Sequence, residues 1–336
     1  MKTTNKVFLL SILLLLPCCG DLHAESNPNL GTAGAQFLKI PIGAQATGMG
    51  GAVTGFSNGA LSIFWNPAGI TGTTGESLHF SQIPWMEFFD VTAFAFTLNA
   101  GTWGTFGLHT IALGMESMEI TTEFSPGGTG QFFDAQDLAV GVTYARQLTD
   151  RFSTGLTGKL IRQRIWNETA SGFAFDVGTR YQLDFRNLTL AMSMNNFGPD
   201  LKYTGPDLLV TYDENNVFPN RLVQANQQTE AYPLPLTFQF GIVADLFRSP
   251  FLLARVGIDA IHPNDNAERV HLGVEAAFAQ RLYLRGGTKF NHDDETHSFG
   301  AGVKTRIGSA TLALDMAYVL HERLPNVQVM SMGLNF

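Results

Sequence analysis

Few stretches of this chain combine residue types and spacings that could do chemistry. His292-Asp293-Asp294-Glu295 with His297 carries the donor types of a metal centre. Such a centre also needs ligands at matched spacing from a second segment, and none stands elsewhere, so a solvated acidic turn is the expectation. Gly48-Met49-Gly50-Gly51 has the glycine density of a phosphate loop but no strand before it. No Gly-x-Ser-x-Gly elbow occurs, and Asn167-Glu168-Thr169 and Asn187-Leu188-Thr189 are only formal glycosylation acceptors. No catalytic set, metal site or cofactor is expected. What remains is a mixed set of charges: Arg180, Asp245, Arg255, Asp259, Glu275 and Arg285, accompanied by Lys159, Asp176, His271, Lys289, Lys304 and Asp315. If they face one interior, interspersed signs suit ion-paired struts. The alternative is that Arg180, Arg255 or Arg285 takes up a carboxylate or a headgroup.

The elements that would carry these charges alternate with period two, which sends successive side chains to opposite faces of a sheet. Val270, Leu272, Val274, Ala276 and Phe278 oppose His271, Gly273 and Glu275; Leu312, Leu314, Met316, Tyr318 and Leu320 oppose Thr311, Ala313, Asp315 and Ala317. Strands are expected near 77–82, 89–99, 103–113, 135–148, 151–164, 170–183, 188–197, 235–247, 251–262, 268–279, 281–291, 297–307, 310–321 and 327–336. Most are longer than the five or six residues usual in soluble sheets and match the 9–11 of a tilted membrane strand. Fourteen is an even number, as in single-chain bacterial barrels. Every second connection is short, and the two long ones, Gly114–Asp134 and Gly198–Leu234, share the opposite parity. With both chain ends in the periplasm, the long loops fall outside the cell. Tyr203, Tyr212, Phe218 and Tyr232 in the longer loop are candidates for contacting a secreted protein or for capping the mouth.

Ahead of the strands, Gly31–Ile70 is rich in glycine and alanine, carries one charge at Lys39 and holds no clean period. A linker of such glycine content is normally polar. Here Phe37, Leu38, Ile40, Ile42, Met49, Phe56, Leu61, Ile63, Phe64 and Trp65 intervene, so the segment needs a container. The expected organisation is a cleaved leader at 1–24, a plug or hatch at 25–76 and a transmembrane β-barrel at 77–336. The fold class is all-β: a 14-stranded antiparallel barrel with an N-terminal plug.

The ends and the composition agree. Residues 1–24 have a basic start, an apolar run of about ten residues and a Leu22-His23-Ala24 cleavage site. Cys18 and Cys19 follow Pro17 and Cys18, where a lipobox wants Gly, Ala or Ser. Cleavage removes both cysteines and takes the formal charge from −8 to −9 with Lys2, Lys6 and Asp21, so nucleic acid is not an expected partner. Charged residues make up 15% of the chain, below the roughly 25% of soluble proteins, which suits a barrel turned toward outer-membrane lipid. The ending Met330, Met332, Leu334, Phe336 on one face resembles the signal read by the outer-membrane barrel assembly machinery.

The run GTAGAQFLKIPIGAQATGMGGA, followed by WNPAG at Trp65–Gly69, resembles the N-terminal signature of the PorV/PorQ family, outer-membrane relatives of FadL-type channels. Asn66-Pro67-Ala68 matches the Asn-Pro-Ala of the FadL-type hatch. The resemblance is dense over about 40 residues and architectural beyond them. It implies a type IX secretion component that binds secreted proteins with a C-terminal sorting domain at its outer mouth. Its FadL side implies instead a channel for small hydrophobic compounds such as long-chain fatty acids, gated around Asn66, Pro67, Ala68 and Gly69. A purely structural outer-membrane role is the third reading.

Overall fold

The computed structural model describes residues 29–56, 59–213 and 222–336. The expected leader, with Cys18 and Cys19, and Phe218 lie outside the described residues. Fourteen antiparallel strands close into one barrel: β1 Glu76–Trp85, β2 Phe89–Asn99, β3 Thr105–Met115, β4 Ala135–Gln147, β5 Phe152–Ile165, β6 Glu168–Gln182, β7 Thr189–Phe197, β8 Thr237–Arg248, β9 Leu252–Pro263, β10 Arg269–Phe278, β11 Leu282–Phe290, β12 Glu295–Ile307, β13 Ala310–His321 and β14 Val327–Asn335. Closure runs from Ser77↔Asn335 to Gln82↔Met330. β1 continues to Trp85, past the expected end at 82. Pro84 is paired only with β2, at Asp90, beyond the reach of β14, so its missing N–H removes no bond from that second ladder.

Which face is apolar decides the solvent. Leu160 (70% exposed), Val142, Phe173, Ile258, Leu284, Phe299 and Leu314 point outward, whereas Ser81, Thr97, Thr143, Thr157 and Glu275 are buried inside. A soluble sandwich has the reverse polarity. An apolar exterior on a closed barrel, with every strand edge paired, meets the requirement of a hydrocarbon solvent. No described helix is long and apolar enough to cross a membrane; a barrel crosses with its strands.

The turns between β2 and β3, β4 and β5, β6 and β7, β8 and β9, β10 and β11, and β12 and β13 lie at one end with Phe336. The segments 116–134 and 198–236 lie at the other. Each long segment carries a ladder of its own, Met118–Glu119 with Phe132–Phe133 and Leu209–Asp213 with Leu222–Asn226.

The plug corrects one expectation. The described N-terminal segment does not start at the short-turn end. Gly31 N–H donates to the Asp265 carbonyl in the β9–β10 turn, and Gly34 N–H to the Pro233 carbonyl in the long segment before β8. The described plug therefore begins at the long-loop mouth and runs through the lumen to reach β1. On the way, the short helix Ala44–Gly48 packs on β11 to β14, and the 3-10 turns Gly59–Phe64 and Pro67–Gly72 pack on β1 to β6. The apolar residues that ruled out a linker end up buried, Phe37, Ile42, Met49, Phe56 and Ile63 among them.

Candidate functional site

The Asn66-Pro67-Ala68 step is a helix start made to join three segments. Asn66 caps the turn Pro67–Gly72, its Oδ1 accepting from Ala68 N–H at 3.0 Å, the capping role for which asparagine is favoured. Pro67 fills the first helical position, where no N–H is needed. The other side of the same amide donates to the carbonyls of Thr54 (3.0 Å) and of Thr179 on β6 (3.1 Å). Ala68 and Gly69 pack behind it, fully buried.

Midway along the barrel and toward the short-turn end the plug backbone lies directly on the wall. Gly257, Gly273 and Gly287 stand side by side on β9, β10 and β11, and the backbone of Met49–Ala52 lies on this stripe. A Cβ on Gly273 would collide with Met49, and one on Gly287 with Gly50. Only glycine permits this approach. Charges complete the fit. Asp259 Oδ2 accepts from the N–H (2.9 Å) and hydroxyl (2.7 Å) of Thr54, and Arg180 Nε donates to the Gly55 carbonyl at 3.1 Å. Glu275 pairs with Arg255 and, at 2.8 Å, with Arg285, which reaches Asp315 at 2.6 Å. Arg255 also lies 4.9 Å over the ring of Phe56 in the plug. Asp245 pairs with Arg248 near the turn.

Toward the long-loop end the fit opens. A cavity of about 140 Å3 remains between plug and wall. Leu38, Ile40, Ile42, Ile63, Phe64, Trp65, Ile111 and Ile261 supply its apolar surface; His109, Lys159, Asp176, Asn195, Asn196, Gln239, Arg269, His271, Lys289, His292 and Glu295 supply the polar part. Above it a vestibule of about 700 Å3 reaches the mouth, bounded by Trp85, Phe89, Leu113, Tyr203, Tyr232 and plug residues 32–37. Lys39, Ile40, Pro41, Arg269, His292 and Glu295 border both spaces and form the partition between them. Lys39 is tied to Asp265 at 2.9 Å. Burial alone would raise the Asp265 carboxyl, but the hydrogen bonds from Lys39 and Gln36 outweigh it and hold it below the usual carboxylate range.

The six charges singled out from sequence, Arg180, Asp245, Arg255, Asp259, Glu275 and Arg285, all face inward, but none borders the cavity; they touch plug or neighbouring wall. Their companions Lys159, Asp176, His271 and Lys289 do border it. The acidic turn also needs correction. Asp293 is exposed, but His292 and Glu295 turn into the lumen, Glu295 pairing with Lys289. Tyr203 and Tyr232 pack ring to ring at 5.8 Å, with the Tyr232 hydroxyl donating to Gln163, so they wall the vestibule. Tyr212 lies in the outer ladder. His109, Asn195, Asn196, Gln239 and Arg269 escaped the sequence reading; for His109 and Gln239, alternation with Gly107 and Gly241 was the available signal.

No family model matches the chain, and no curated protein does. Solved structures do. The chain is similar to the CymD monoaromatic hydrocarbon channel, with TM-score 0.58 and 13% identity over 88% of this chain and 98% of that one. It is similar to the Pseudomonas putida toluene transporter TodX, with TM-score 0.56 and 12% identity over 86% and 96%. A Pseudomonas aeruginosa FadL homologue matches with TM-score 0.54 and 10% identity over 87% and 97%. The fold is therefore the FadL-like barrel: 14 antiparallel strands around an N-terminal plug. None of these matches carries the PorV/PorQ part of the sequence resemblance.

Proposed function

We propose that this protein is an outer-membrane channel that admits small hydrophobic compounds through the long-loop mouth. The observation that carries the reading is the pair of spaces in series, vestibule then cavity, divided only by the partition at Lys39–Pro41 and lined by apolar plug residues. The route passes the plug, and Asn66, which bonds to two plug segments and one wall strand, is the joint about which the plug would shift. Neighbours described as a monoaromatic hydrocarbon channel and a toluene transporter support this choice of cargo. The long loops then face outward and the apolar belt meets outer-membrane lipid. The sequence signature alone favours the type IX secretion role, and two of the loop aromatics it would use, Tyr203 and Tyr232, pack against each other and the wall.

The test is initial uptake of radiolabelled toluene by a Gram-negative host lacking hydrocarbon channels of its own. The wild-type chain should raise the rate several-fold over an empty vector, and Ile40→Trp, which fills the partition, should abolish the gain. Uptake equal to the vector control sinks the channel reading. Co-purification of secreted proteins sharing a C-terminal β-domain would favour the secretion role in its place.

A further inference from the structure

The cavity under the partition is ring-sized and its polar wall is unmet. At about 140 Å3 it is close to an engineered apolar cavity of about 150 Å3 that admits benzene, and a long acyl chain does not fit inside it. A cavity meant for a bare hydrocarbon would have a satisfied or apolar lining. Here, among the described residues, both ring nitrogens of His271, which is 6% exposed, and Nε of Arg269 have no hydrogen-bond partner. The other wall cations are already taken, Lys159 by Asp176 at 2.8 Å and Lys289 by Glu295. Among the described residues the one ion pair of the Arg269 side chain, 13% exposed, is with Asp293, 3.6 Å away and 69% exposed. The carboxylates of Glu295 and Asp265, near enough to act on it by charge, are themselves held by Lys289 and Lys39. Buried polar groups without partners are rare and point to an absent ligand or water.

We infer that this cavity binds a monocyclic carboxylate of benzoate size, its carboxylate facing Arg269 and His271 and its ring among Ile40, Ile63 and Phe64. An arginine Nε–H and an imidazole N–H are both donors, and a carboxylate is an acceptor only. Their union gives charge-assisted hydrogen bonds, where a neutral ring of the same volume leaves both groups dry. A site built to hydrogen-bond its ligand rejects the analogue lacking that group by large factors. The inference deepens the channel reading, and as an account of cargo it rests on it; as an account of binding it stands alone.

Equilibrium dialysis of the full-length protein in detergent micelles at pH 7.5, with radiolabelled benzoate and with toluene, tests it. Saturable benzoate binding at least tenfold tighter than toluene binding is expected. Arg269→Gln and His271→Phe should each weaken benzoate at least tenfold, and Arg269→Lys less than Arg269→Gln. Competition on the wild-type barrel by unlabelled toluene and phenol keeps the test decisive where a variant does not fold, folding being read from heat-modifiable migration. The inference is overturned by toluene binding as tightly as benzoate, by phenol displacing benzoate at lower concentration than benzoate itself, or by benzoate binding that survives both substitutions. Toluene uptake without benzoate binding would remove this inference and leave the channel reading. Benzoate binding without uptake of either compound would keep the site and remove the channel.

Discussion

On a single strand, β10, three inward-facing neighbours meet three different situations. Glu275 is fully buried and held by two arginines, Gly273 lies against the plug backbone, and the ring nitrogens of His271, nearest the long-loop mouth, have no hydrogen-bond partner among the described residues. The same contrast runs around the barrel. In the half toward the short turns the plug backbone lies on the wall, and Glu275, Arg255, Arg285 and Asp315 are joined in ion pairs. In the half toward the long loops plug and wall part, and donors are left over. Ion pairs where the lumen is full make the plug part of the protein's interior. Where it is open, Arg269 Nε and both His271 nitrogens border the space without a partner among the described residues.

The largest expected effect that could break this contrast is at Glu275. Replacing it with Ala strands Arg255 and Arg285, the latter with a fully buried side chain, and loss of one partner from a buried pair costs about 3–5 kcal/mol. Removing the unpartnered His271 by His271→Ala gives up no hydrogen bond, and unfolding of the purified barrel in micelles should shift by about 1 kcal/mol or less beyond lost packing. Equal losses for the two variants would erase the difference between the halves. Next comes Gly273→Val. Overpacking costs about 1–3 kcal/mol, and since the wall is a closed ladder the plug yields first. Faster hydrogen exchange at Met49–Ala52 and ion leakage across a planar bilayer are expected; unchanged exchange would mean the glycine stripe does not seat the plug. Smaller again is Asn66→Ala, about 0.5–2 kcal/mol for the cap, with raised exchange at Ala68 N–H.

Much of this was open to reading in the sequence, and the reason for the remainder is physical. Alternation gives strands and parity gives the barrel's two ends, because both depend on local spacing alone. Alternation cannot say which face meets lipid; that needed the exposure of Leu160 and the burial of Thr143. The plug's apolar residues betrayed that it is enclosed, but not that its described part begins at the long-loop mouth, since Gly31 and Asp265 lie far apart in sequence. Charges are conspicuous, so Glu275 and Asp259 stood out, and they proved to bind neighbouring wall and plug rather than to border the cavity. The cavity is a difference between two packed surfaces, and no residue pattern encodes a difference. Asn195, Asn196 and Gln239 look like any inward polar residue, and Arg269 is the first residue of its strand, beside a turn, where a charge is unremarkable in sequence.

The smallest effect tests the partition itself. His292 Nδ1 accepts from the backbone N–H groups of Asp294 (3.3 Å) and Glu295 (3.0 Å), which requires that nitrogen to be unprotonated. Burial, then the nearby Lys289 ammonium, lowers the ring's pKa from its ordinary 6.5 to about 4. The folded ring thus binds its proton more weakly than the unfolded one. Its stabilisation of the turn is complete above about pH 6.5 and is lost as the pH falls through about 4. Amide exchange of Asp294 and Glu295, corrected for intrinsic rates, should therefore lose about tenfold in protection between pH 7.5 and 5. His292→Asn, an acceptor that does not titrate, should flatten that dependence while leaving exchange at Met49–Ala52 in the packed half unchanged. If the packed half loosens over the same pH interval, the partition is not an independent element and the two halves of the lumen open as one.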